Sequence, residues 1–359
     1  MDTPRKLKVA IVAHAAVDLF LEESSLPRFK RYNPSMTIEE LLETNRSVRD
    51  GETRGSLYQR LGGPVLTIGH HLAAKHRIHG SPFEVSAVTI LGDDEPSRKY
   101  EETLKNLEMR MTQVHRYKGT LSRCAYVYPK GKPIRQLPPI WEDGVSEHFS
   151  KIEVPKHFLE EQDMVVLPIT PPPLAQRVAE TYEQMNRKGV LVYNPGFYLL
   201  DPSFSFGDTG FERIMRRTNV LVMNRDEREA VRKNGVKKIL DLFHEYPSLM
   251  VLISTKDVDG SVIHIRDDKS SEEAVRLYYS SLKGNSAATI ETPVGAGDAF
   301  LGAFLRYSFG IGYELDDAHR EAEKKAIKQL GIKGAVDPYV ISSGVLQREE
   351  SEGSVRLAK

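Results

Sequence analysis

Only one cysteine, Cys124, occurs among the 359 residues. A lone thiol closes no intramolecular disulfide and builds none of the cysteine-rich zinc sites, which fits a reducing compartment and makes the cytoplasm the default expectation. Net charge is absent too: 50 Lys and Arg balance 50 Asp and Glu, so no overall field gathers nucleic acid or an anionic membrane. No apolar run approaches the roughly 20 residues of a membrane-spanning helix. The basic start before "KVAIVAH" has the look of a secretory leader only until Asp18 interrupts it. Small molecules are the expected partners, with neither nucleic acid nor membrane among them. Two nucleotide-binding signatures are also lacking: G-x-x-x-x-G-K-[ST] occurs nowhere, and "GAGDAFLG" has Phe300 where G-x-G-x-x-G needs its third glycine.

What the chain does have is repetition of one pattern. "KVAIVAH", "VSAVTIL", "MVVLPI", "VLVYN", "VLVMN" and "LMVLIST" are short β-branched runs, each followed by a longer segment of helical period. That alternation predicts βαβ units, hence an α/β fold with a mainly parallel sheet covered by helices on both faces. Pro171, Pro172 and Pro173 suit the first turn of a helix over "LAQRVAETYEQMNRKG". Residues 19–61 and 112–137 break the alternation. The first carries an amphipathic "TIEELLETNRSV"; the second alternates and turns like an antiparallel hairpin, and together they predict a small β-rich flap. The expected domain is 1–345, followed by a polar tail over 346–359. Adjacent His70 and His71 cannot face one ligand from a helix, so structural or surface roles are expected of them. The run "AFLGAFLRYSF" reads as a buried helix, too short to cross a membrane.

Chemistry concentrates in "ETPVGAGDAF", residues 291–300. Gly295 and Gly297 allow backbone angles that turn successive N–H groups inward, and a helix N-terminus adds bare donors and partial positive charge, so an anion fits. Asp298 has two readings there: a helix-capping side chain, or the acceptor of a proton from a hydroxyl that attacks a phosphoryl group.

"ETPVGAGDAF" resembles the D-[TP]-x-G-A-G-D signature of the ribokinase-like (PfkB) family of carbohydrate and nucleoside kinases. "RLGGPVLTIGHHLA" is similar to that family's G-G-x-x-x-N-x-A segment, "ILGDDEPSRKYEETLKNLEM" to its G-x-D-x-x-G segment, and "VLVMNRDEREA" to its N-x-x-E motif, all in family order over roughly residues 8–335. The resemblance implies a ribokinase-like fold with a lid, and phosphoryl transfer from ATP, with Mg2+, to a substrate hydroxyl. It casts Asp298 as general base and Gly295, Ala296 and Gly297 as the anion hole. Asn224 and Glu227 would organise the metal and its waters, with Glu227 reaching it through water; a cap after "VLVM" is the plain alternative for the pair. Thr255 and Gly260 match the T-x-G-x-x-G nucleotide loop, in which Asp257 replaces the first glycine. Asp18 matches the acid that takes two substrate hydroxyls, and Gly62 and Gly63 the hinge of the lid. Thr67 replaces the substrate-binding Asn, Ser97 a glycine, and Thr292 the signature's first Asp. Those departures leave open a catalytically weak sugar- or nucleotide-binding sensor as a second expectation. Family lids often pair, so a homodimer through the lid is expected as well.

Overall fold

The computed structural model describes residues 5–22, 37–41, 58–73, 81–128, 139–185, 189–200, 210–236, 238–255, 260–266, 275–280 and 294–331. Strand β1 (Leu7–Val12) lies inside a large sheet. Beside it run β4 (Phe83–Leu91) and β5 (Arg110–Arg116) on one side. On the other follow β8 (Met164–Pro168), β9 (Val190–Asn194), β10 (Val220–Met223), β11 (Val251–Thr255), β12 (Ser261–Arg266) and β13 (Val275–Ser280). Pairing is parallel from β5 through to β11, and β12 and β13 join antiparallel. A second, four-stranded sheet orders β3 (Tyr58–Gly62), β2 (Ala16–Glu22), β6 (Arg123–Tyr128) and β7 (Ile140–Glu142).

The helices are α1 (Pro64–Ala73), α2 (Glu95–Asn106), α3 (Lys156–Glu160), α4 (Pro172–Gln184), α5 (Phe211–Met215), α6 (Arg225–Lys233), α7 (Asp241–Glu245), α8 (Ala296–Leu305) and α9 (Leu315–Leu330). Alternation along β1 sends its side chains to two different cores. Val9 and Ile11 pack with α1, α8 and α9, whereas Ala10 and Val12 pack with α4, α5 and α6. A strand buried on both faces has to be apolar throughout, which is why "KVAIVAH" reads as a continuous run. Each large aliphatic side chain so buried contributes about 1.5–3 kcal/mol.

Helix α8 fits beneath the sheet because Gly302 has no side chain. A Cβ there would lie 2.9 Å from His71 Cβ and 3.2 Å from Ile68 Cα of α1. His70 and His71 are both buried in that helix layer, so theirs is a structural setting and not a surface one. Arg306 Nη1 donates to the His71 carbonyl at 2.9 Å, satisfying the end of α1.

The small sheet is two-faced. Val17, Leu19, Leu21, Ala125 and Val127 join the core, while Asp18 and Phe20 stand beside Cys124 and Tyr126 on the opposite face. Among the described residues of 112–137, the two strands do not pair with each other as the expected hairpin. Residues 112–116 belong to β5 at the edge of the large sheet, parallel to β4, and β6 pairs with β2 in the other sheet. Alternation marks a half-buried strand and is blind to its partner. Of the helix expected at "TIEELLETNRSV", the turn over 38–41 is described. The tail 346–359 and the loop residue Asp257 lie outside the described residues, as does Thr292.

Candidate active site

Strands β1, β10 and β11 deliver their carboxyl ends to one edge of the large sheet, and α8 starts there. Gly295 is the N-cap of α8 at φ 79° and ψ −6°, a left-handed conformation that suits glycine. Ala296 and Gly297 form the first turn, and a Cβ on Gly297 would meet nothing within 4 Å, so this backbone fronts open space. First-turn N–H groups have no partner inside the helix, and the helix dipole adds positive character.

Asp298 is the third residue of that helix. It does not act as the cap, which is Gly295, and the helix start has no side-chain cap hydrogen bond. Its surface is partly open, but protein crowds round the carboxyl and burial raises its pKa from 3.8 to about 7. Asp18 is 3% exposed; burial first, and the charge of Asp298 second, raise its pKa to about 7 as well. No described residue donates a hydrogen bond to either carboxyl. Asp18 thus lies in the field of Asp298, and among the described residues no cation neutralises either acid.

The double glycine shapes the site around Asp18. A Cβ on Gly62 would stand 2.0 Å from Asp18 Oδ2, so only glycine leaves room for the carboxyl. Gly63 has φ 86°, and a Cβ there would meet the His14 carbonyl oxygen at 2.5 Å. Thr67 is buried in α1 and donates its hydroxyl proton to the Gly63 carbonyl at 3.3 Å, so that donor serves its own helix.

Asn224 and Glu227 close a reciprocal cap at the start of α6. The Glu227 N–H donates to Asn224 Oδ1 at 2.9 Å. In return the Asn224 N–H donates to Glu227 Oε2 and its Nδ2 to Oε1, both at 2.8 Å. The plain capping reading is thus realised in full. Both oxygens of Glu227 are occupied, and burial raises its pKa from 4.5 to about 7, with Asp226 and then Asp298 adding to the shift. Thr255 ends β11, and Gly260, at φ 86°, leads into β12.

Two neighbours have no motif in the sequence to announce them. Tyr100 of α2 is fully buried and donates its hydroxyl to the Gly62 carbonyl at 3.0 Å, within the field of both Asp18 and Asp298. His14, between β1 and β2, contacts Ser146 Oγ through Nδ1 and the Tyr198 hydroxyl through Nε2, each at 3.1 Å. Burial lowers its pKa from 6.5 to about 4, keeping it neutral. Only a tyrosine at helical spacing behind "GDDEP" hints at the first; nothing local marks the second.

Residues 71–338 match the model of the family described as pfkB family carbohydrate kinase. Among solved structures, the nucleoside kinase of Methanocaldococcus jannaschii, an archaeal member of the ribokinase family, superposes with a TM-score of 0.68 at 20% identity, over 91% of this chain and 93% of that one. Ribokinase of Arabidopsis thaliana, complexed with ribose and ATP, gives 0.66 at 14% identity over 94% and 96%. The nucleoside kinase of Burkholderia thailandensis, in complex with inosine, gives 0.65 at 16% identity over 91% and 92%. These likenesses establish the ribokinase-like fold. A curated relative, DNA topoisomerase 1 alpha of Arabidopsis thaliana, is 27% identical over 128 residues, which span 35% of this chain and 12% of the topoisomerase.

Proposed function

The chain belongs to the pfkB family of carbohydrate kinases, and from that premise we propose that it transfers the γ-phosphate of ATP to a hydroxyl of a sugar-like or nucleoside substrate. The observation that carries this reading is the setting of Asp298: a carboxyl with a pKa near neutrality and no donor among the described residues, one turn inside a bare helix N-terminus. A base poised near the working pH combines enough ionised form with enough proton affinity. Asp298 takes the acceptor's proton as the oxygen attacks, and the N–H groups of Ala296 and Gly297 face the charge that builds on the moving phosphoryl group.

Asp18 holds the acceptor by taking hydroxyl protons, which suits ribose, a sugar or another polyol. Thr255 and Gly260 are the proposed nucleotide contacts, and the open space before Gly297 accommodates a phosphate. For magnesium, the described residues provide no cluster of three ligating side chains. The ion would therefore ride on the phosphates, with Glu227 facing its water shell; bound there, it supplies charge neutralisation. Solved structures of this fold with ribose and ATP, and with inosine, support both substrate classes equally. Residence in the cytoplasm and a homodimer joined through the lid edge complete the proposal; sedimentation at micromolar concentration tests the second.

The decisive experiment is an ATP-consumption screen with magnesium over sugars, sugar phosphates, polyols and nucleosides. Turnover with at least one acceptor is the expected result. Nucleotide binding without any turnover would overturn the kinase reading in favour of a binding protein.

A further inference from the structure

The stem of the β11–β12 hairpin is tied to α9 by a buried polar cluster that the proposed reaction does not use. Thr255 and Ser261 face each other as the last pair of the antiparallel ladder, and Gly260 leads directly into Ser261. Ser261, His319 and Glu323 are all buried. Ser261 Oγ donates to Glu323 Oε1 at 2.9 Å and lies 2.6 Å from His319 Nε2. A hydroxyl has one proton. With that proton given to the carboxylate, the short contact to the imidazole has to be Nε2–H donating to Oγ. Burial keeps the ring below its usual pKa although Glu323 pulls it upward. That proton order is the reverse of an activated serine nucleophile, in which the imidazole accepts the hydroxyl proton.

On its other side the imidazole meets Phe300 edge-on, with centroids 5.8 Å apart and planes at 83°. Phe300 lies two residues beyond Asp298 on α8. His319 therefore touches the hairpin stem and the helix that carries the base. We propose that His319 and Glu323 are positioning residues which, through Ser261, hold Thr255 and Gly260 in register with the N-terminus of α8, so that one nucleotide can meet both elements at once. This rests on Thr255 and Gly260 being nucleotide contacts.

The test is calorimetric binding of magnesium-ATP to the full chain and to four variants: Ser261→Ala, His319→Leu, His319→Gln and the double Ser261→Ala/His319→Leu. Loss of the buried Ser261–His319 hydrogen bond should weaken ATP about tenfold in His319→Leu, and Ser261→Ala, which also removes the bond to Glu323, should weaken it at least as much. The double variant should be no weaker than Ser261→Ala alone, since that change already removes the hydrogen bond that His319→Leu deletes. His319→Gln, whose amide can still donate to Ser261, should recover most of the affinity. Equal ATP affinity in parent and variants overturns the inference alone, as does a Gln variant no better than Leu. Should His319→Leu fail to fold, Ser261→Ala decides, because it removes only a hydroxyl. A parent chain that binds no ATP overturns both the inference and the reading beneath it.

Discussion

At the residue scale, the proposed reaction gives two groups separable jobs, and substitution can part them. Asp298→Asn keeps the shape of the side chain but accepts no proton, so turnover should fall on the order of 100-fold or more with nucleotide affinity little changed. Single-turnover kinetics beside ATP calorimetry checks this, and near-normal turnover would remove Asp298 from the base role. Because the base works ionised and its pKa is raised to about 7, the parent's kcat/KM should rise through neutrality and fall on the acid side. Asp18→Ala should raise the acceptor KM sharply, each charged hydrogen bond to a hydroxyl being worth about 1.5–3 kcal/mol, and leave the ATP KM where it was. A deoxy acceptor lacking the contacted hydroxyl should be poor for the parent yet lose little more with Asp18→Ala. The signature residues were legible because glycine and acid in "VGAGDAF" have a backbone reason to stand together. Tyr100 and His14 were not, since their roles arise from partners 38 and 132 positions away.

At the element scale, helices and strands followed from periodicity, and pairing did not. The apolar runs mapped onto β1, β4, β8, β9, β10 and β11. The pairing of β6 with β2 across most of the first third of the chain has no local signature, and neither does the departure of β5 to the other sheet. Asn224 and Glu227 illustrate a related limit: S/T/D/N-x-x-E describes a capping box and a kinase motif equally well, and the structure shows the cap directly. Close packing of α8 on α1 gives the sharpest test of an element. Gly302→Val has to displace the backbone of Ile68, so it should cost about 1–3 kcal/mol, seen as a lower urea midpoint at unchanged slope. Gly297→Ala, with open space before it, should leave stability near the parent value while obstructing the nucleotide.

At the scale of the whole molecule, the site draws on the fold's stability. Asp18 and Asp298 both titrate at about 7 in the folded chain, above the ordinary 3.8. Folding therefore binds protons between these values, and stability falls as pH rises through that window, levelling once both acids are ionised. Replacing Asp298 by Asn removes its share of the loss. The variant should melt above the parent by a margin that grows from about pH 4 to about pH 7 and then holds, measurable by thermal unfolding in matched buffers. A constant margin at every pH would assign the shift to packing instead.

Two short stretches of chain join the sheets directly, Ala13 to Ala15 and Tyr117 to Ser122, while Gly63 ties the small sheet to α1 and Asp143 ties it to the helical turns over 144–151. Three residues reach only about 10 Å when fully extended, so the first of these joints pins the start of β2 close to the end of β1. A plate so pinned can swing but cannot slide. Asp18 sits three residues past Ala15, close to that joint, where a swing of the plate would scarcely displace it; Phe20 and Tyr126, two residues farther along their strands on the same face, would ride a longer radius. The carboxyl proposed to grip the acceptor is thereby mounted where any such angular travel is smallest. On the proposed reading, a cover that changed its pitch over a bound acceptor would leave that grip, and the hydroxyl's distance from Asp298, little altered.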